Sequence, residues 1–181
     1  MHDHNRAAWI AEALARYEAP LLRFATKLMR DGDRARDLVQ ETFLRLCEQD
    51  RASVEGHLAA WLFRVCRNRA LDLRRKDTRM EAIDRIEQAP DAVDPRPDPA
   101  ETVARREDTG VVMKIFETLP EHQQEAVYLR FQGGLSYKEI SEITGHSVTN
   151  VGFMLHAAVK AIRAHLAEVA PPVARTAEGT R

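Results

Sequence analysis

Apolar positions along this 181-residue chain recur at steps of three and four almost throughout. That period belongs to helices that bury one face. No segment of four or more residues alternates as a strand would. A first helix is predicted from about Asn5 to Tyr17. Pro20 suits the first turn of a second, which carries Leu21, Phe24, Ala25 and Leu28 on one face. Asp31-Gly32-Asp33 interrupts the run. Asp33 is the expected N-cap of a third helix, with Ala35, Leu38, Val39, Thr42 and Leu46 inward. After a polar stretch from Gln49 to Gly56, a longer helix is predicted from about His57 to Lys76, with Leu58, Leu62, Val65 and Cys66 on its buried side.

The pattern then changes. Residues 81–101 hold Pro90, Pro95, Pro97 and Pro99, with seven acidic residues against two basic. Prolines so spaced forbid a regular helix, and the composition is that of a flexible acidic linker. Helical spacing resumes near Val111, with Val112, Ile115, Phe116 and Leu119. Pro120 opens the next helix, which ends at Gly133-Gly134. Ser136-x-x-Glu139 is a capping box for a third helix, Gly145 ends it, and Ser147 caps a fourth. Val148, Val151, Leu155, Ala158, Ile162 and Leu166 form the inward stripe of that last helix. The fold class is therefore all-α. Two small helical domains (1–80 and 110–168) are joined by a linker (81–109) and followed by a disordered tail (169–181).

A formal net charge of -1 does not announce a nucleic-acid binder, but the distribution is uneven. From Arg64 to Arg79 seven basic residues face two acidic ones, a local net of +5. No apolar run is long enough to span a membrane and the N-terminus lacks a secretory pattern, so a cytoplasmic protein is expected. Cys47 and Cys66 both sit among apolar neighbours and read as core residues. The histidines have no zinc-like spacing, and no phosphate-cradling loop, nucleophile elbow or carboxylate pair is visible. No metal, no cofactor and no enzymatic activity are expected.

Two constellations carry candidate chemistry. Trp61, Arg64, Asn68, Asp72 and Arg75 share one face of the long helix, with Arg67, Arg74 and Lys76 beside them. Guanidinium groups, an amide and an indole on one surface can neutralise phosphates, stack on bases and read base edges of a melted strand. The same residues also fit a solvated, salt-bridged helix face. The second constellation is helix-turn-helix in outline: Leu135–Ile143 as support, Thr144-Gly145-His146 as turn, and a reader from Ser147 onward. Ser136, Tyr137, Ser147, Thr149, Asn150, Phe153, His156 and Lys160 would then face duplex DNA. An ordinary antiparallel helix pair fits that spacing as well.

Taken together, Asp37–Leu46, Trp61–Asp72 and Leu119–Ile143 resemble the sigma-70 superfamily, specifically its extracytoplasmic-function group. The resemblance covers about Tyr17 to Leu166, as two blocks in the family's order. It implies that Asp37, Gln40, Glu41 and Leu44 dock on core RNA polymerase, at the coiled coil of the largest subunit. It implies that the Arg64–Arg75 face captures the melted -10 element of promoter DNA and that the helix-turn-helix reads the -35 element. A partner anti-sigma factor is a further implied possibility. A stand-alone helix-turn-helix regulator, binding palindromic duplex as a dimer, is the competing reading; it would bind DNA without polymerase.

One departure stands out. Where the family's reader helix carries Lys-Ser-Arg-Leu, this chain has Gly152-Phe153-Met154-Leu155. From Val111 to Glu168, five basic residues meet six acidic ones, so phosphate anchoring should be weak. Three explanations fit Phe153 and Met154: contact with thymine methyl groups, a protein-docking patch, or packing against a neighbouring helix.

Overall fold

The computed structural model describes residues 2–87 and 107–169; among these, helices and turns account for the fold and no strand occurs. The front domain is α1 (His2–Met29), α2 (Gly32–Glu48), α3 (Arg51–Val54) with a 3-10 turn (Glu55–His57), and α4 (Leu58–Glu87). The rear domain is α5 (Glu107–Thr118), α6 (Glu121–Val127) running into a wider π turn (Tyr128–Gln132), α7 (Tyr137–Thr144) and α8 (Val148–Val169).

The two helices predicted before Asp31 are one. Pro20 lies inside α1 rather than opening a new helix. An interior proline forfeits one backbone hydrogen bond. Here the apolar stripe continues across it, with Trp9, Ala13, Leu21, Phe24, Ala25 and Met29 all buried. Packing on both sides of the proline outweighs the lost bond.

Asp31, not Asp33, caps α2. Its carboxylate accepts from the backbone N–H groups of Asp33 and Arg34, at 2.9 and 3.0 Å. Arg30 turns the chain between the helices in a left-handed conformation, φ 55°. Asp33 falls in the first turn of α2, where its charge complements the helix dipole. The predicted inward residues of α2 are buried, and Phe43 joins them. Thr42 tolerates burial because its hydroxyl donates to the Leu38 carbonyl at 2.8 Å. The polar stretch after α2 holds the short helix α3, capped by Asp50.

Helix α4 passes Lys76 and continues to Glu87, into residues assigned to the linker. No proline or glycine interrupts it before Pro90, so the acidic composition alone does not end the helix. Likewise α5 begins at Glu107, ahead of Val111. The linker's prolines and the tail after Val169 lie outside the described residues. In α8 the buried stripe is Val151, Met154, Leu155 and Ala158; Val148 and Leu166 are exposed instead. Cys66 is core, and burial pushes its thiol up to about 12, so it stays protonated. Cys47 is exposed, contrary to expectation.

The domains share a core. One continuous apolar cluster runs from Trp9, Phe24 and Phe63 in front to Leu129, Leu135 and Ile140 behind. Phe24 meets Phe63 edge-on at 5.3 Å between centroids and lies 6.3 Å from Tyr128. Tyr128 in turn meets Phe116 edge-on at 5.1 Å. Gly133 allows the close approach: a Cβ there would lie 3.0 Å from the Phe63 ring and 2.8 Å from the Leu129 carbonyl oxygen. Helix α7 packs against α4 alongside this seam. A smaller cluster of Phe116, Leu119 and Ala158 closes the far side of the rear domain.

Phe24→Ala should therefore cost about 3–5 kcal/mol, as for other buried aromatics. Urea unfolding is expected to show a lower midpoint in both domains, since Phe24 touches residues of each.

Candidate nucleic-acid interface

The long helix divides its basic residues between two sides. Asn68, Asp72, Arg75, Arg74 and Lys76 are exposed. The Asp72–Arg75 pair is loose, at 3.6 Å on an open surface, and screens little of the positive charge. Trp61 and Arg64 share the face of Asn68 but are half-buried, Trp61 by packing on the shared core. The Arg64 Nε is buried with no hydrogen-bond partner in the structure.

Arg67 lies on the flank that meets the rear domain. Its Nε donates to Glu125 Oε1 at 2.6 Å and its Nη2 to Glu125 Oε2 at 3.4 Å, a fork-on-fork arrangement. Both side chains are 16% exposed. A cavity of about 330 Å³ opens beside this pair, with Lys27 and Arg74 on one wall and Glu121 and His122 on the other. So the predicted strand-contacting residues lie on one helix, but the structure leaves Asn68 through Lys76 open and covers the earlier turns. Arg69 points elsewhere, donating to Glu41 at 2.8 Å.

The helix-turn-helix is present. Ser136 and Glu139 form the capping box: the Ser136 N–H donates to Glu139 at 2.7 Å, and the Glu139 N–H donates to Ser136 Oγ at 3.3 Å. The Ser136 hydroxyl, which donates to the same carboxylate at 2.6 Å, and the Ser136 N–H together hold the Glu139 carboxyl below its ordinary range. Gly145 ends α7 in the left-handed region, φ 79°, which favours glycine. Ser147 caps α8 by accepting from the Asn150 N–H at 3.2 Å. Ser136 and Ser147 are thus engaged as caps. The Tyr137 ring packs near Gly152 with the Arg130 guanidinium 5.5 Å above it.

On α8, Thr149, Asn150, Phe153, His156 and Lys160 form one exposed stripe. Phe153 is 70% exposed while Met154 is 4% exposed and packed in the core. The two residues, adjacent in sequence, therefore have different roles, and packing accounts for Met154 alone. No lysine or arginine joins the stripe before Lys160.

The residues expected to dock polymerase follow α2. Asp37, Gln40 and Leu44 are exposed, Leu44 at 59%. Glu41 is half-buried and held by Arg45 and Arg69, each at 2.8 Å. Partial burial pushes its carboxyl up, but the two guanidinium groups outweigh this and hold it below its ordinary range. Beside Leu44 an apolar groove of about 480 Å³ runs between α1 and α2, lined by Leu14, Leu22, Val39 and Phe43. No sequence motif marks the groove or Glu125. The spacing of Ile10 and Leu14 on α1 signals a second apolar stripe; nothing local marks Glu125, because its partner is 58 residues away. Among the described residues, no helix is long and apolar enough to cross a membrane, and no group of metal-binding side chains gathers.

Comparison with known proteins follows this division. The family description Sigma-70 region 2 matches residues 13–80, and Sigma-70, region 4 matches residues 110–162. The ECF RNA polymerase sigma factor SigM of Bacillus subtilis is 31% identical over 158 residues, covering 86% of this chain and 93% of that one. The ECF RNA polymerase sigma factor SigE of Mycolicibacterium smegmatis is 30% identical over 169 residues; these cover 92% of this chain but 65% of that relative's length. Among solved structures, the sigma factor RpoE in complex with the anti-sigma factor NepR, from Bartonella quintana, aligns with a TM-score of 0.61 at 25% identity. That alignment covers 87% of this chain and 96% of the other.

Proposed function

The chain belongs to the sigma-70 family, in its extracytoplasmic-function group, and from that premise we propose how it directs promoter-specific initiation by core RNA polymerase. It is a transcription initiation factor, a specificity subunit with no bond-making chemistry of its own, working in the cytoplasm. The observation that carries the reading is the open basic side of α4, Asn68 to Lys76, within the residues matched to region 2.

Docking comes first. Asp37, Gln40 and Leu44 present a mixed polar and apolar edge beside the groove between α1 and α2. A helix of the largest polymerase subunit would seat there, with Leu44 as the buried anchor. Glu41 orients that edge through Arg45 and Arg69. Melting follows. Arg64, Arg67, Arg74, Arg75 and Lys76 neutralise phosphates, Trp61 stacks, and Asn68 and Asp72 read an unstacked base of the -10 element. Captured bases offset the cost of unpairing, so no nucleotide hydrolysis is required. Residues 1–80 thus form the docking and melting domain, and 110–168 the duplex-reading domain. Residues 81–109 connect them, and their acidic side chains would mimic a nucleic-acid backbone in the polymerase cleft. An anti-sigma factor is a fitting partner, since the aligned RpoE is held by one.

At the -35 element the reader works without early basic anchors. Thr149 and Asn150 bond base edges, and Phe153 meets thymine methyl groups, an apolar readout. His156 and Lys160 reach the backbone. Ser136, Tyr137 and Ser147 hold the support helix and reader in register at the groove edge. A stand-alone regulator is disfavoured: it has no use for the strand-capture surface of α4.

Two outcomes follow. Arg64→Ala with Asn68→Ala should abolish promoter opening, read by permanganate reactivity of unpaired thymines, while core polymerase binding stays nearly intact. Replacing the contacted -35 thymine by uracil removes one methyl group. It should weaken duplex binding by the wild-type holoenzyme about fourfold, from about 0.8 kcal/mol per buried carbon, and leave Phe153→Ala unaffected.

A further inference from the structure

The arrangement of the two domains carries an inference that rests on reading α4 as the strand-capturing helix. Polar bridges among the described residues cross the seam between them. Arg67 holds Glu125, Arg30 holds Glu121, and Arg23 donates to the Gln132 side chain at 3.0 and 2.5 Å. They differ in burial. The Arg30 and Glu121 side chains are largely exposed, a setting in which an ion pair contributes little. The Arg67–Glu125 pair is the most enclosed of the ion pairs among the described residues, and it sits beside the apolar contact of Phe24 with Phe63 and Tyr128. Its forked geometry is the one a guanidinium offers equally to a carboxylate or to a phosphate.

We propose that the free chain latches itself shut, with the Glu125 carboxylate occupying Arg67 in place of a DNA phosphate. Strand capture then requires α6 to leave α4. The closed form is asymmetric. It engages Arg67 yet leaves Phe153, Thr149 and Asn150 exposed. The duplex-reading stripe is therefore wholly available while the strand-capturing face lacks Arg67, and the latch delays melting rather than promoter encounter.

The test uses the full-length chain with fluorophores on Cys47 and on Ala164→Cys, both exposed positions, while Cys66 stays buried. Single-molecule energy transfer reports the distance between domains without DNA or polymerase. Glu125→Gln keeps the shape and removes the charge; it should raise the ratio of open to closed molecules on the order of tenfold. Glu125→Arg should open the chain further, and Arg67→Glu combined with Glu125→Arg should close it again. With core polymerase, Glu125→Gln should speed promoter opening by a similar factor, because a larger fraction starts competent. Unchanged energy transfer in Glu125→Arg, or failure of the charge-swapped pair to reclose, would overturn the latch. Unchanged melting rates in a chain that Glu125→Gln demonstrably opens would overturn its gating of strand capture. Absence of melting by the wild type would instead count against the sigma reading, and the energy-transfer comparison would still decide the latch.

Discussion

Helix α4 buries Leu62, Phe63, Cys66 and Ala70 completely while a neighbouring side must remain free for charged groups. That double duty constrains the rest of the molecule. The buried side of α4 anchors α1 and α2, and Phe63 extends the same contact to Phe24 and to Gly133 of the rear domain. Neither domain is large enough to bury a generous core alone. Sharing the Phe24–Phe63–Tyr128 seam lets both gain apolar contact, at the cost of covering Arg67. Stability of the resting chain and access to its basic helix are therefore opposed.

Charge placement follows the same division of labour. The chain as a whole is nearly neutral, yet residues 64–79 carry a local net of +5 and residues 81–101 one of -5. Phosphate attraction is concentrated on α4, close to the catalytic cleft in the proposed assembly, and is weak on α8. In the proposed assembly a reader stripe with Phe153 at its centre trades electrostatic anchoring for shape and methyl contacts. On the proposed reading, polymerase docking supplies most of the affinity and the rear domain supplies discrimination.

Much of this was legible in the sequence because it is local. The capping box at Ser136, the left-handed Gly145 and the inward face of α2 follow from spacing and cap chemistry alone; on α4, Leu62 and Cys66 are buried as their spacing implies, but Leu58 and Val65 are half-buried and Phe63 takes the core position instead. Pro20 misled because proline ends helices on average, and only the tertiary packing of Leu21 and Phe24 against distant residues reverses that preference. Asp31 and Asp33 compete for one cap, and the left-handed turn at Arg30 decides between them. Cys47 and Val148 look apolar enough to bury but fall just off the inward stripe. Phe153 and Met154 illustrate the limit of composition: a helix rotates successive residues by about 100°, so one points to solvent and the other to the core. The partnership of Arg67 with Glu125 depends on how two domains meet, and no local pattern encodes it.

The central claim is that α4 of this chain captures unwound promoter strands when core RNA polymerase carries it there. In-vitro transcription from a genomic fragment library, with and without core polymerase, tests it most directly. The account predicts discrete 5′ ends that require both proteins and share two upstream sequence elements. Start sites no different from those of core polymerase alone, together with tight binding of a palindromic duplex by the isolated chain, would contradict it.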